Sequence, residues 1–243
     1  MRVFFELTKF HFILYIRNNY FSSLLIMSTL STFLIQYILL YANGLNYDPS
    51  IWIRSGIIGM FTMTVTATGA IGFQRMQHTL PYLLYNVVGN FISLSALLIT
   101  PVLFGLFSFF ISFIMAIIFN TGIGDIDIIF FINILFLLIG SIIMSYFFAC
   151  LSVVIKSIMV YEPLFTIPIL IISGLFSLPI INTLPKFLGI LVPVSGPINY
   201  LLGFNSFEPF TMILSFILWS IILKVFSSYI YIKSKKDGTW SPI

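Results

Sequence analysis

Few side chains in this sequence are able to carry acid–base, nucleophilic or metal chemistry. Its histidines are His11 and His78, and its one cysteine is Cys150. Catalysis of these kinds needs such groups within hydrogen-bonding reach of one another, and no metalloprotease, serine-hydrolase or cysteine–histidine motif is present. A single cysteine also excludes an internal disulfide and a cysteine-based metal cluster. We therefore expect no catalytic residues and no metal site in this chain.

Three charged residues need a separate interpretation. Asp125 and Asp127 lie in a short glycine-containing turn with far fewer ligands than a calcium loop, so a polar turn is the simpler prediction. Lys224 lies within an apolar run, about 23 Å along a helix from Pro209 at 1.5 Å per residue. Its ammonium group is expected to snorkel to the nearby membrane interface. No charge is predicted at the bilayer midplane, which argues against ion-coupled or proton-coupled transport.

The composition predicts an all-α integral membrane protein. Hydrophobic residues make up 60% of the chain and charged residues 7%, whereas a soluble domain carries about 25% charged residues. A helix needs about 20 apolar residues to cross the hydrocarbon core, and six runs are candidates. The predicted spans of this single transmembrane domain (1–243) are residues 22–41, 55–73, 91–119, 128–155, 164–180 and 209–232.

Three further segments complete the predicted topology. Residues 1–20 are apolar with four charges on roughly one side, which predicts an interfacial helix; an N-terminal extension of the first span is the alternative. Residues 74–86 form a short polar-rich helix after the second span. Residues 181–205 contain prolines and glycines that break a span but are apolar, which predicts a re-entrant segment packed on protein at the outer side.

The distribution of Lys and Arg predicts the orientation. With the N-terminus inside, the outer side holds Arg54 and Lys186, and the other nine of the 11 basic residues lie in cytoplasmic segments. Positive charges are enriched in cytoplasmic loops, so both termini are predicted to be cytoplasmic. The residue usage suggests a bacterial cell (inner or plasma) membrane.

The second predicted span is rich in small and hydroxylated residues. Such residues let helix backbones approach closely, and threonine can bond across helices. Two interpretations stay open: close packing against neighbouring spans, or a lining for a translocation path or subunit interface. The residues concerned are Gly56, Gly59, Thr62, Thr64, Thr66, Ala67, Thr68, Gly69, Ala70 and Gly72.

Two motifs carry a family resemblance. The sequence QRMQHTLP at 74–81 resembles the segment of type-2 ABC export permeases in which a Glu-Arg pair ends the second span and Gly-Thr-Leu follows in a coupling helix. Arg75, Thr79 and Leu80 match that pattern, whereas Gln74 and His78 depart from it. The second motif, Ser-Gly-Leu-Phe at 173–176 followed by spaced prolines, is similar to the family's fifth span and the segment after it.

The resemblance implies the membrane-spanning subunit of an ATP-driven exporter, which is not itself an enzyme. The chain has no G-x-x-x-x-G-K-[ST] phosphate loop, so ATP and magnesium would be bound by two copies of a cytoplasmic ATP-binding partner. A second membrane subunit would complete a homodimer or related heterodimer in the lipid bilayer, with no nucleic acid. The first, second and fifth spans would line the path.

The same resemblance implies two groups of functional residues. Contact with the ATPase would be made by the coupling helix, through Arg75, Gln77, His78 and Thr79, and by the interfacial helix. The outer gate would contain Ser173, Gly174, Pro179, Pro185 and Pro193.

The cargo predicted from an apolar, weakly polar path is hydrophobic or amphipathic, such as an antimicrobial peptide or a drug. One alternative is export of a polysaccharide or lipid-linked glycan. Another is a non-transporting membrane sensor or immunity subunit. A membrane-embedded enzyme is disfavoured because the catalytic groups are missing.

Overall fold

The structure is an all-helical bundle, as predicted. The computed structural model describes residues 2–45, 48–76, 90–154, 158–176, 191–204 and 207–236, and these ranges contain helices and turns but no strand. The helices are α1 (Arg2–Arg17), α2 (Asn19–Ala42), α3 (Ser50–Met76), α4 (Asn90–Gly105), α5 (Phe107–Ile118), α6 (Ile128–Val154), α7 (Ile158–Ile172), α8 (Ser195–Leu201) and α9 (Pro209–Lys236).

Within the described residues, four stretches of helix are long and apolar enough to cross a membrane. They correspond to the first, third, fourth and sixth predicted spans, and the third runs through both α4 and α5. Their bounds are Asn19–Ala42, Ser93–Ile118, Ile128–Ser152 and Pro209–Ser228. The structure therefore supports the prediction of an integral membrane protein, with four candidate spans among the described residues.

The other two predicted spans differ from these four. The second lies in α3, which has 27 residues, but its many threonines and glycines make it less apolar than the others. The fifth overlaps α7, which has 15 residues, fewer than the roughly 20 that a full crossing needs. The six-span arrangement accordingly remains a prediction.

Polar side chains mark where several helices begin. Asn18 separates α1 from α2, and its side-chain oxygen accepts a hydrogen bond from the Tyr20 amide at 3.0 Å. Asp48 accepts from the Ser50 amide at 2.9 Å before α3, and Asp127 accepts from the Phe130 amide at 2.7 Å before α6. Such bonds satisfy amides that have no partner within the helix.

Helix α3 occupies the centre of the bundle. It contacts α2, α4, α5, α6 and α7, and no residue from Ser50 to Ala67 is exposed. Its side chains enter the largest buried cluster, where Phe61 meets Phe148 edge-on at 6.2 Å between ring centroids. The predicted second span is therefore the helix around which the others pack.

Candidate functional site

One face of α3 is less buried than the rest. Every fourth residue is half-buried, while the residues between them are fully buried from Ser50 to Ala67. Because residues four apart lie on one side of a helix, these positions form a continuous stripe along the central helix. We call this the α3 stripe, and it comprises Arg54, Ile58, Thr62 and Thr66.

Apart from Arg54, the α3 stripe is only weakly polar. The Thr62 hydroxyl donates to the Ile58 carbonyl at 2.8 Å, and the Thr66 hydroxyl donates to the Met63 carbonyl at 2.6 Å. Since both hydrogens are used within the helix, the stripe offers these hydroxyls mainly as weak acceptors. Arg54 lies towards one end of the stripe, with the opposite charge of Asp48 nearby.

The fully buried side of α3 shows the close packing that its small residues predict. A Cβ atom at Gly56 would lie 2.7 Å from the Phe109 ring, and one at Gly59 would overlap the Thr29 hydroxyl. The Ser108 hydroxyl donates to the Gly56 carbonyl at 2.6 Å, which joins α5 to α3. Packing therefore explains the glycines, whereas the half-buried α3 stripe leaves room for a second role of the same helix.

The segment before α8 contacts α6 and α9 well inside both helices. The Trp219 indole N–H donates to the Leu191 carbonyl at 2.7 Å, and Trp219 lies ten residues into α9, about 15 Å from its start. A Cβ atom at Gly140 would lie 2.8 Å from the Pro193 carbonyl oxygen, and Gly140 lies about 18 Å into α6. The distances of Trp219 and Gly140 from the starts of their helices, about 15 Å and about 18 Å, are each about half of the roughly 30 Å hydrocarbon thickness.

From that depth α8 returns towards the start of α9. A Cβ atom at Gly196 would lie 2.7 Å from Met212 Cγ, and Met212 is in the first turn of α9. Tyr200, near the end of α8, contacts the Phe207 ring just before α9 at 5.7 Å between centroids. The described part of residues 181–205 thus forms a short helix that leads from mid-depth to one end of the bundle.

Two residues predicted for the outer gate lie just after the end of α7, and one of them, Gly174, contacts this segment. Gly174 has φ +85°, a conformation that glycine adopts at little cost, and its amide donates to the Ile171 carbonyl at 3.1 Å. A Cβ atom there would overlap the Asn199 side-chain oxygen on α8. Ser173 is fully buried and donates to the Leu170 carbonyl at 2.7 Å.

The structure places three of the five residues predicted for the outer gate, Ser173, Gly174 and Pro193. Gly174 contacts the α8 segment through Asn199, and Pro193, also buried, packs on α6. Pro179 and Pro185 lie outside the described residues. Sequence reasoning missed Trp219 and Gly140, the residues on the long helices that this segment contacts. A tryptophan in the middle of an apolar run, with a donor that needs a partner, is the signal that could have revealed the first.

The predicted coupling residues are described only in part. Arg75 lies in the last turn of α3, which ends at Met76. Gln77, His78 and Thr79 lie outside the described residues, as does the remainder of the predicted coupling helix after Met76. Arg75 is consequently placed at the end of the central helix.

Helix α1 packs against α4 through aromatic rings. Tyr15 contacts Phe104 of α4 at 5.9 Å between ring centroids and also stacks on Phe21 of α2 at 4.1 Å. Burial raises the pKa of Tyr15 to about 12, while the neighbouring Thr66 hydroxyl has the opposite, smaller effect. Burial also lowers the pKa of His11 on the same helix. Tyr15 therefore brings α1 to one end of the α3 stripe.

Acidic and metal-binding chemistry has little support in the described part of the chain. No group of three or more His, Cys, Asp or Glu residues there could hold a metal ion. Asp127 acts as a helix cap, and the turn before it contains Gly122 and Gly124 with φ of +86° and +74°. This geometry fits the predicted polar turn.

Comparison with known proteins finds no relative of this chain. The chain matches no family model, no curated protein and no solved structure.

Proposed function

We propose that this chain is the membrane-spanning permease subunit of an ATP-driven exporter. The observation that carries the proposal is the α3 stripe: a half-buried, weakly polar face on the helix at the centre of the bundle. Helices α2 and α7, the predicted first and fifth spans, both contact α3. These three helices are the ones that the resemblance to type-2 export permeases places along the translocation path.

The chemistry of the stripe favours a hydrophobic or amphipathic cargo. Ile58 is apolar, and the hydroxyls of Thr62 and Thr66 are bonded to their own helix. A path for glycans is expected to expose more aromatic and polar groups, and the α3 stripe contains no aromatic ring. Peptides of the antimicrobial type and apolar drugs are therefore the favoured cargo class.

The segment around α8 acts in this proposal as the outer closure. Backbone that is not helical at membrane depth is tolerated where it is packed on protein, and the contacts of Leu191 with α9 and Pro193 with α6 supply that packing. Opening would move α8 and the end of α7 apart at Gly174 and Asn199. Such a rearrangement is a switch between two packed arrangements.

The proposal includes a full topology and a set of partners. Helices α3 and α7 would be the second and fifth of six spans in a bacterial cell membrane, with both termini cytoplasmic. Two copies of an ATP-binding subunit would supply ATP and magnesium, and a second membrane subunit would complete the path. Arg75, at the end of α3, would transmit movement of the ATPase to the central helix.

A bulky residue in the stripe tests the path directly. Thr62→Phe is expected to abolish resistance of cells that express this chain with its neighbouring genes to a panel of hydrophobic peptides and drugs. Leu135→Phe, at a position that is 60% exposed on α6, outside the helices of the proposed path, is the matched control and should keep the wild-type resistance. Full resistance in the Thr62→Phe strain, at equal protein level, would contradict a path along this face.

A further inference from the structure

One polar side chain of α6 is buried with a hydrogen-bonding atom that has no partner. Asn133 is fully buried, and its Nδ2 atom donates to the Ile129 carbonyl at 2.9 Å. Its Oδ1 atom accepts no hydrogen bond from any described residue. The opposite orientation of the amide would bring two oxygen atoms together at Ile129, so Oδ1 is the atom that lacks a donor.

Two buried serines on the same helix show the usual alternative. The Ser145 hydroxyl donates to the Ile142 carbonyl at 2.8 Å, and the Ser152 hydroxyl donates to the Ala149 carbonyl at 2.7 Å. A hydroxyl can use its hydrogen within its own helix, whereas an amide oxygen can only accept. The oxygen of Asn133 therefore needs a donor from outside α6, and a buried acceptor without one is costly.

Asn133 lies on the face of α6 that is covered by α8 and the residues before it. Gly140, seven residues later, is on the same side of the helix because seven residues make almost two full turns. A Cβ atom at Gly140 would lie 2.8 Å from the Pro193 carbonyl oxygen and 3.1 Å from Val194 Cγ1. Asn133 is about 10 Å nearer to the start of α6 than this contact.

Helix α8 continues from that contact towards the start of α6. Tyr200, near the end of α8, lies close enough to Asp127 for the two side chains to interact electrostatically, and Asp127 caps α6. Asn133 therefore lies between the two ends of the contact between α6 and α8.

The side chains around Asn133 are apolar. Phe130 and Leu137, about one turn before and after it, belong to the same buried cluster as Ile198 and Leu201 of α8. None of these four side chains can donate a hydrogen bond. A donor for the oxygen of Asn133 would reach it only after α8 has moved away from α6.

We propose that Asn133 is a hydrogen-bonding position of the outer closure, hidden beneath α8 while the closure is shut. Its Oδ1 atom would accept from an O–H or N–H donor when α8 moves, and the donor would be water or a backbone amide of a peptide cargo. The unpaired oxygen favours opening, because only the open arrangement supplies a donor. The cargo contact rests on the proposed export function, whereas the movement of α8 does not.

The purified full-length chain, without an ATPase, tests the movement. Ile198 is fully buried, so Ile198→Cys in a Cys150→Ala background reacts with a charged maleimide when α8 has moved. Asn133→Leu keeps a similar volume and removes the oxygen, and labelling of position 198 in lipid nanodiscs should slow by at least about fivefold. Ser145→Ala is the control, and it should leave the rate unchanged because its hydroxyl is bonded within α6.

A second variant separates the oxygen from the added apolar contact of leucine. Asn133→Ala removes the oxygen without adding such a contact, and it should also slow the labelling. If Asn133 only fills space in the core, the cavity left by alanine loosens α8 and the labelling becomes faster. Faster labelling in Asn133→Ala, or an unchanged rate in Asn133→Leu, would overturn the proposal.

The resistance panel of hydrophobic peptides and drugs identifies the source of the donor. Asn133→Leu should lower resistance to peptides with free backbone amides more than resistance to drugs that have no N–H or O–H group. An equal change for both classes overturns the cargo contact and assigns the donor to water. A wild-type chain that gives no resistance to any compound contradicts export, but the labelling rates at position 198 still decide the role of Asn133.

Discussion

The hydrogen bond between Trp219 and the Leu191 carbonyl gives the sharpest prediction for the outer segment. Trp219→Phe keeps an aromatic ring near Phe147, which the Trp219 ring meets edge-on at 5.2 Å between centroids, but removes the donor at 2.7 Å. The Leu191 carbonyl then lacks its partner in an apolar region. Leaving a polar group unpaired costs about 1–3 kcal/mol, so the segment before α8 should detach from α9 more often.

The expected magnitude follows from that cost. Because about 1.4 kcal/mol is a tenfold change in an equilibrium, the detached population should rise between about fivefold and about a hundredfold. Cys150 is the single cysteine, so a Cys150→Ala background with Leu191→Cys gives one labelling site. The rate of reaction with a charged maleimide, measured in lipid nanodiscs, reports how often water reaches position 191.

A matched variant separates this effect from general destabilisation. Trp52→Phe removes another indole donor, which bonds to the Ile123 carbonyl at 3.0 Å, far from Leu191 in the sequence. It should lower thermal stability but leave the labelling rate at position 191 unchanged. If Trp219→Phe does not accelerate labelling, or if Trp52→Phe accelerates it equally, then the Trp219 bond does not hold the segment in place.

Three other perturbations test the packing and the titration of described residues. Gly59→Val should lower the free energy of unfolding by about 1–3 kcal/mol, because its side chain would overlap Thr29, and denaturant unfolding in detergent measures this. Gly174→Ala should destabilise by about 1 kcal/mol or more, since alanine is strained at positive φ and would also overlap Asn199; a thermal shift smaller than that of an exposed control would contradict it. Burial lowers the pKa of His11, so the docked form of α1 binds a proton less readily than the undocked form. Docking of α1 should therefore be complete above a pH of about 6.5 and should weaken as the pH falls below that value. Limited proteolysis of α1 between pH 8 and 5 should show this loss in the wild type and not in His11→Gln.

The helical class and the close packing of the predicted second span could be predicted from the sequence. Long apolar runs such as 128–155 can only satisfy their backbone groups in lipid as helices, and α6 confirms a helix over Ile128–Val154. The glycines of α3 predicted close approach, and Gly56 and Gly59 show it. These features depend on local composition, which can be read directly from the sequence.

The α3 stripe and the depth of α8 could not be predicted in the same way. Thr62 and Thr64 are equally polar in the sequence, yet one is half-buried and the other fully buried, because the difference depends on which neighbours cover each side. The contact between Leu191 and Trp219 joins residues 28 apart through a turn whose geometry no local pattern specifies. Whether α3 also crosses the membrane depends in the same way on the helices around it. It lies at the centre of the bundle although it is less apolar than the four candidate spans.

The interpretation of α1 shows the same limit. Its charges predicted a helix separate from α2, and Asn18 separates the two. Its position against α4 depends on the contact between the Tyr15 and Phe104 rings, a tertiary contact between residues 89 positions apart. An interfacial position in the bilayer remains a prediction that depth-dependent fluorescence quenching of a label on α1 would test.

The central claim is that a separate ATPase drives this chain, and co-purification tests it most directly. The chain, expressed with its neighbouring genes and isolated in mild detergent, should bring with it an ATP-binding subunit. The expected ratio of this chain to the ATPase is 1:1 in a homodimer, and 1:2 in a heterodimer that also contains the second membrane subunit. The complex should hydrolyse ATP in a vanadate-sensitive manner, and Arg75→Glu should reduce that activity without loss of the chain from the membrane. A chain that purifies alone, with no ATPase activity in any fraction that contains it, would contradict the account.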